Sequence, residues 1–110
     1  MANATTVNPA RVAKQFQALA DETRLKVLRI LTRGEQCVCV LVTKLDIPQP
    51  LLSHHLKTLR EAGFITARRE GRWMYYALRP EALDDCGGAL TGLLDAYQES
   101  ARLGRPGCYW

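Results

Sequence analysis

Two cysteines separated by a single residue, Cys37 and Cys39, are the side chains with the clearest potential for chemistry in this sequence. Thiolates bind soft metal ions and metalloids, and two nearby thiols can also form a reversible disulfide. On an ideal helix, residues two positions apart point about 200° away from each other. Two sulfurs that bind one ion at about 2.3 Å must lie within roughly 3.8 Å of each other. If one helix holds both cysteines, ligand binding must unwind or bend that turn.

The other two cysteines, Cys86 and Cys108, are candidates for a third ligand. Cys108 follows Gly104, Pro106 and Gly107, which disfavour regular structure, so it is free to fold over the pair or reach across a dimer and is the first candidate for the third ligand, with a solvent hydroxide as an alternative. Cys86, in the last predicted helix, is the alternative, although a lone cysteine is commonly a small buried hydrophobe. In a reducing compartment, cysteines are more typical of ligands or redox thiols than of a disulfide framework.

Composition limits the class of protein. The chain has 110 residues, of which 47% are hydrophobic and 24% charged, as in an ordinary soluble domain. No apolar run approaches the roughly 18 residues of a membrane span, and Met1 to Thr6 lack a signal sequence pattern, so we expect a cytoplasmic protein with no membrane partner. The segment from His54 to Arg79 contains six Lys or Arg and two Glu, and so carries the whole net charge of +4. That distribution favours a polyanionic partner.

Capping signals and apolar periodicity predict five helices. Asn8 followed by Pro9 is typical of an N-cap and a first helical residue, and Gly34 and Gly63 are typical helix stops. The predicted helices run from Pro9 to Ala20, from the cap Asp21 to the stop Gly34, from Cys37 to Leu45, from Gln49 to Ala62 and from Pro80 to Leu103. In the second helix, Leu25, Leu28 and Leu31 share one face.

The middle of the chain predicts a DNA-reading fold. A short helix, a turn over Asp46 to Pro48 and a longer helix with a polar face follow the order of a helix-turn-helix, whose second helix enters the major groove. Phe64 to Arg69 and Trp73 to Leu78 then predict a β-hairpin, with Gly71 in its turn. We therefore expect a mainly α fold with a small β-hairpin, a winged helix-turn-helix. Residues 1–103 would form one DNA-binding and dimerisation domain, and 104–110 a flexible tail.

The candidate DNA contacts are polar side chains of the fourth helix and cations of the hairpin: Gln49, Ser53, His54, Lys57, Arg68, Arg69 and Arg72. His55 falls nearer the core edge, where it is either a structural histidine or a phosphate contact. The first and last helices have larger apolar faces than so small a core requires, so we expect a homodimer through the terminal helices. Two recognition helices about 34 Å apart then predict a palindromic operator.

Three segments together resemble a known family. They are GEQCVCVL at 34–41, QPLLSHHLKTLREAG at 49–63 and REGRWMYY at 69–76, and their combination is similar to the ArsR/SmtB family of metal-responsive repressors, above all to its arsenic-responsive branch. The resemblance implies a dimeric repressor rather than an enzyme, with no cofactor, that leaves its operator DNA when As(III) or Sb(III) binds Cys37 and Cys39. That branch often has a third cysteine soon after the pair, where this chain has Leu41, Val42 and Thr43.

Other functions remain open at this point. A redox-sensing or persulfide-sensing repressor of the same fold would use the cysteines as a reversible disulfide. Cuprous copper is another soft ion that thiolates select. An architectural DNA-binding protein would keep its behaviour after Cys37→Ser. A thiol oxidoreductase is disfavoured because the chain lacks both the C-x-x-C spacing and a cluster of acids and bases.

Overall fold

The computed structural model describes residues 8–104. Its elements are α1 (Pro9–Leu19), α2 (Glu22–Leu31), β1 (Gln36–Cys37), α3 (Val38–Leu45), α4 (Gln49–Glu61), β2 (Ile65–Glu70), β3 (Trp73–Leu78) and α5 (Pro80–Leu103). The predicted fold, with five helices and a β-hairpin between the fourth and the fifth, is confirmed. Within the described residues, no helix is long and apolar enough to cross a membrane.

The sheet contains one strand more than the sequence predicted. Its order is β1-β3-β2 and both pairings are antiparallel. β2 and β3 form the expected hairpin, while β1 places Gln36 opposite Tyr76 and Cys37 opposite Tyr75. A strand of two residues is too short to show alternation of apolar and polar side chains, so its sequence carries no strand signal.

The extra strand changes where the third helix begins. α3 begins at Val38, one residue after its predicted start at about Cys37. Cys37 has extended backbone angles, φ −69° and ψ 147°, and is the N-cap of the helix. The cause is its pairing with Tyr75, because the angles of a paired strand residue are not helical. The two cysteines therefore lie on either side of the helix start.

The chain's capping residues act as predicted at α1 and α2. The Asn8 side chain accepts hydrogen bonds from the backbone N–H groups of Ala10 and Arg11, and the Asp21 carboxylate accepts one from Arg24 N–H. Asp46, after α3, has a left-handed φ of 54°, a conformation that Asp tolerates better than most residues other than Gly. This short turn leads directly into α4.

A single apolar cluster lies between the helices and the sheet. On α2, Val27, Leu28 and Leu31 are buried, whereas Leu25, which shares a face with Leu28, is 52% exposed. The cluster comprises Ala18, Val27, Leu28, Leu31, Leu41, Leu52, Leu56, Leu59, Phe64, Ile65, Ala82 and Cys86. It holds α4 and the hairpin on one scaffold.

α5 is buried near its start and exposed further along. Ala82 and Cys86 are buried, whereas the part from Leu90 onward exposes large apolar side chains. These are Leu90, Leu93, Leu94 and Tyr97, each more than half exposed. Gly104 ends the helix with a left-handed φ of 67°. The predicted division into a domain at 1–103 and a tail at 104–110 stays a prediction, because residues 105–110, including Cys108, lie outside the described residues.

Candidate functional site

The sulfur atoms of Cys37 and Cys39 are in direct contact, in the arrangement of a disulfide, and the Cα atoms lie 5.2 Å apart. They converge because Cys37 is extended and precedes α3, while Cys39 lies in the first turn of that helix. The prediction that ligand binding must unwind or bend the helix assumed that both cysteines were helical. That assumption is wrong for Cys37, and the effect of a ligand on α3 stays a prediction. The pair is positioned for one shared ligand by the junction between strand and helix.

The surroundings of the pair favour thiolate chemistry. Cys37 is 8% exposed and Cys39 is exposed, so solutes reach the pair from the Cys39 side. The backbone N–H of Cys39 donates a hydrogen bond of 3.2 Å to Cys37 Sγ. A hydrogen-bond donor and a helix N-terminus both stabilise negative charge on sulfur. Reduced, the pair can bind a soft ion; oxidised, it can form a disulfide.

The third ligand is not found among the described residues. Cys86 is buried where α5 packs on α1, and its thiol donates to Gln15 Oε1 at 3.9 Å. Burial, and to a lesser extent the charge of Asp85, raise the pKa of the Cys86 thiol, which disfavours the thiolate. Between residues 8 and 104, no group of three or more His, Cys, Asp or Glu side chains is placed to hold a metal ion. Cys86 therefore has the surroundings of a core residue.

The outer face of α4 is polar and accessible. Its predicted DNA-contacting residues are all exposed: Gln49, Ser53, His54 and Lys57. Lys57 Nζ lies 4.0 Å from the carboxylate of Glu61, an exposed pair of the kind that contributes little to stability. His54 also lines a groove of about 840 Å³ that α4 shares with α1 and the start of α5. These side chains are free to turn toward a ligand, and their DNA-binding role stays a prediction.

His55 has the structural role that was one of its two predicted roles. It is 7% exposed, and its Nδ1 lies 3.1 Å from the Arg24 guanidinium and 3.7 Å from Asp21 Oδ2. Arg24 also donates to the backbone carbonyls of Gln17 and Ala18 at the end of α1. This network ties α1, α2 and α4 together, so the adjacent histidines His54 and His55 face opposite environments.

The three arginines predicted to contact DNA from the hairpin differ in their partners. Arg68 donates to both carboxylate oxygens of Glu35, at 3.0 and 2.8 Å, and to Glu70 at 2.7 Å. Arg72 lies over the Trp73 ring, with 5.7 Å between its guanidinium carbon and the ring centroid. The Arg69 side chain is exposed and has no hydrogen bond or ion pair in the described part of the chain. Of the three, Arg68 is the one already engaged by carboxylates.

Sequence reasoning missed Glu35 and Tyr75. Glu35 lies two residues before Cys37, and Tyr75 is the cross-strand partner of Cys37. Both residues therefore belong to the surroundings of Cys37. The spacing of Glu35 and Cys37 would have placed both side chains on one side of a strand, but no signal marks β1 as a strand. Glu35 could have been found only by knowing which strand pairs with β3.

Comparison with known proteins identifies the family. Residues 21–67 match the family described as "Bacterial regulatory protein, arsR family". A crystal structure of an ArsR family transcriptional regulator superposes with a TM-score of 0.78 at 30% identity, and the match covers 83% of this chain and 94% of that one. The chain belongs to the arsR family. The family resemblance seen in the sequence is thereby confirmed, and the family is one of transcriptional regulators, which are not enzymes.

Two curated relatives of this arsR-family chain are named for arsenic resistance. The arsenic resistance transcriptional regulator ArsR1 of Pseudomonas putida is 46% identical over 85 residues, which are 76% of this chain and 66% of the relative. The arsenical resistance operon repressor of Escherichia coli is 50% identical over 66 residues, which are 59% of this chain and 56% of the repressor. The chain thus spans less than two thirds of the length of either relative.

Proposed function

We propose that this arsR-family protein is a transcriptional repressor that binds a palindromic operator as a dimer and releases it when As(III) or Sb(III) binds Cys37 and Cys39. One observation carries the proposal: the two sulfurs converge at the start of α3, the first helix of the helix-turn-helix. A ligand there lies at the start of the helix that precedes α4 in the chain. The arsenic-resistance relatives support the choice of metalloid.

The ligand chemistry favours a trivalent metalloid over zinc. As(III) and Sb(III) are thiophilic and take three ligands, so two thiolates and one further donor satisfy them, whereas zinc requires four. We propose Cys108 as the third ligand, with solvent as the alternative. Cys86 is excluded from this role in our proposal because it is buried in contact with Gln15. The protein needs no cofactor.

The DNA-binding surface in this proposal combines α4 with the hairpin. α4 enters the major groove and the exposed arginines Arg69 and Arg72 contact the backbone. The exposed apolar part of α5 supplies the dimer contact, because side chains such as Leu93 and Tyr97, each 71% exposed, would be removed from water by packing against a second chain. We also propose that the protein acts in the cytoplasm, where operator DNA is accessible.

The test is fluorescence anisotropy of the reduced protein on DNA from upstream of its own gene, titrated with As(III), Sb(III), Cd(II) and Zn(II). We expect release by As(III) and Sb(III), and loss of that response in Cys37→Ser and Cys39→Ser. Cys86→Ser is the matched control and should still release DNA. A higher As(III) requirement in Cys108→Ser would identify the third ligand. Undiminished binding of the wild type at saturating As(III) and Sb(III) would refute the proposal.

A thiol-switch repressor is the second candidate, and the direct contact between the two sulfurs favours it. In that case a mild oxidant or a persulfide takes two electrons from the thiols, and the disulfide form releases DNA without any metalloid. The same anisotropy assay separates the candidates. Release by oxidant and reversal by a dithiol reductant, with no response to As(III), would support the thiol switch.

A further inference from the structure

A row of three side chains crosses the sheet beside the thiol pair. Cys37 in β1 lies opposite Tyr75 in β3, and Tyr75 lies opposite Arg68 in β2. Residues directly opposite each other in antiparallel strands point to the same side of the sheet. The Arg68 guanidinium carbon lies 4.8 Å from the centroid of the Tyr75 ring. The row therefore links a candidate ligand residue to the outer strand of the hairpin.

Glu35 connects the β1 side of this row directly to Arg68. It directly precedes β1, and both of its carboxylate oxygens accept hydrogen bonds from Arg68, at 3.0 and 2.8 Å. A two-point contact of this kind fixes the relative orientation of both groups more than a single bond does. Glu35 and Arg68 are 33 residues apart in sequence, and their pair joins two segments that lie on opposite sides of β3 in the sheet.

The position of β1 depends on few contacts. Only Gln36 and Cys37 pair with β3, and Cys37 is also a proposed ligand. A ligand that fixes the Cys37 side chain therefore changes the freedom of β1 and of Glu35 immediately before it. Because Glu35 is held to Arg68, the change reaches β2 in the hairpin without any distortion of α3.

We propose that the Glu35–Arg68 ion pair, packed on Tyr75, transmits ligand occupancy at Cys37 and Cys39 to the hairpin, and so lowers its fit to DNA. Glu35 and Arg68 are positioning residues that touch neither the ligand nor, in the repressing state, a base. The inference rests on the proposed function, for which it supplies the route of regulation. It also reassigns Arg68, which the sequence predicted as a DNA contact.

The experiment measures coupling, defined as the operator Kd with saturating As(III) divided by the Kd without it. Glu35→Gln and Arg68→Gln are compared with Arg69→Gln, which removes the same charge from the neighbouring position of β2. As(III) binding to DNA-free protein is followed separately by ultraviolet absorption of the sulfur–arsenic bonds. Folding is checked by circular dichroism, and the charge-swapped double variant Glu35→Arg with Arg68→Glu tests for rescue.

We expect Glu35→Gln and Arg68→Gln to reduce the coupling by at least about fivefold, within the usual range of such couplings, while As(III) still binds DNA-free protein. Arg69→Gln should weaken DNA binding but keep the wild-type coupling. The charge-swapped double variant should regain part of the coupling that the Glu35 and Arg68 single variants lose. Wild-type coupling in both single variants would overturn the inference, as would a loss of coupling in Arg69→Gln equal to that in Arg68→Gln.

The wild type distinguishes failure of the inference from failure of the proposed function. If As(III) does not release DNA from the wild-type protein, the proposed function fails. The coupling is then measured with the disulfide form of the protein in place of the metalloid complex. A smaller effect of the disulfide in Glu35→Gln and Arg68→Gln would keep the inference. If neither ligand nor oxidation changes the operator Kd of the wild type, there is no signal to transmit and the inference is also wrong.

Discussion

Two regions of this protein are built from the same kinds of groups but differ in what surrounds them. The sheet corner consists of Glu35, Cys37, Cys39, Arg68 and Tyr75, and the helical hub consists of Asp21, Arg24 and His55. Each has an arginine in contact with one distant residue, His55 at 31 positions from Arg24 and Glu35 at 33 positions from Arg68. In the hub, the acceptors are a buried histidine and backbone carbonyls; in the corner, they are exposed carboxylates. Burial therefore distinguishes the hub, which we expect to stabilise the fold, from the corner, for which we propose a regulatory role.

The largest expected difference comes from making the same substitution in both regions. Arg24→Ala should lower the free energy of unfolding by about 2–3 kcal/mol, because it leaves His55 Nδ1 and the carbonyl of Ala18 without their charged donor. Arg68→Ala should have a much smaller effect, because exposed ion pairs contribute little. Urea denaturation followed by circular dichroism measures both. Equal losses of stability would remove the distinction between hub and corner.

The adjacent histidines sharpen the same contrast. His55→Ala should cost about 2 kcal/mol of stability, since it leaves a gap beside α2 and removes the partner of Arg24. His54→Ala should change stability by less than about 0.5 kcal/mol, as expected for an exposed site, but should weaken operator binding. Thermal unfolding and anisotropy, run on the same two preparations, report both effects. Operator binding lost only in His55→Ala would contradict the assignment.

The cysteines should differ in reactivity. In the reduced protein at neutral pH, iodoacetamide should alkylate Cys39 at least about tenfold faster than Cys86, a difference of about 1.4 kcal/mol in activation free energy. Cys39 is exposed, whereas burial raises the pKa of the Cys86 thiol and blocks access to it. Peptide mass spectrometry at timed intervals measures the two rates. In urea the rates should become similar, and faster labelling of Cys86 in the folded protein would contradict this prediction.

The smallest effect concerns acid. The hydrogen bond from Arg68 lowers the pKa of the Glu35 carboxyl below its usual value of 4.5. A lowered pKa in the folded state means that the carboxylate stabilises the protein above pH 4.5, and that this contribution is lost as the pH falls through the lowered value. Carbon-detected NMR titration of Glu35 should show that lowered pKa, and Arg68→Gln should return it toward 4.5. An unchanged pKa in Arg68→Gln would show that the ion pair does not form in solution.

Much of the fold follows from local signals. Asn8 and Asp21 cap their helices as predicted, and the ends of α4 and α5 fall within one residue of their predicted positions. Each of these signals acts between residues that are close in sequence, so it can be recognised without knowledge of tertiary contacts. Burial on α2 did not follow from the apolar pattern alone, because Leu25 lies three residues before Leu28 and yet is exposed, while Val27 is buried.

The candidate site was predictable only in part. The types and spacing of Cys37 and Cys39 were sufficient to indicate a thiol ligand or a redox pair. Their mutual geometry was not, because it depends on a strand pairing with Tyr75 far along the chain. The partners of Arg68 were hidden for the same reason, since Glu35 is 33 residues away and is brought close by the sheet.

The sequence by itself determined the helices and hairpin, the cysteine pair and the polar face of α4, because these depend on residue type and on contacts over a few positions. The tertiary structure decided that Cys37 ends a strand, that His55 is structural while His54 is exposed, and that Arg68 is held by Glu35. These features arise from pairing and burial between distant segments. No local pattern encodes them, since the same side chain gains or loses its accessibility according to what folds against it.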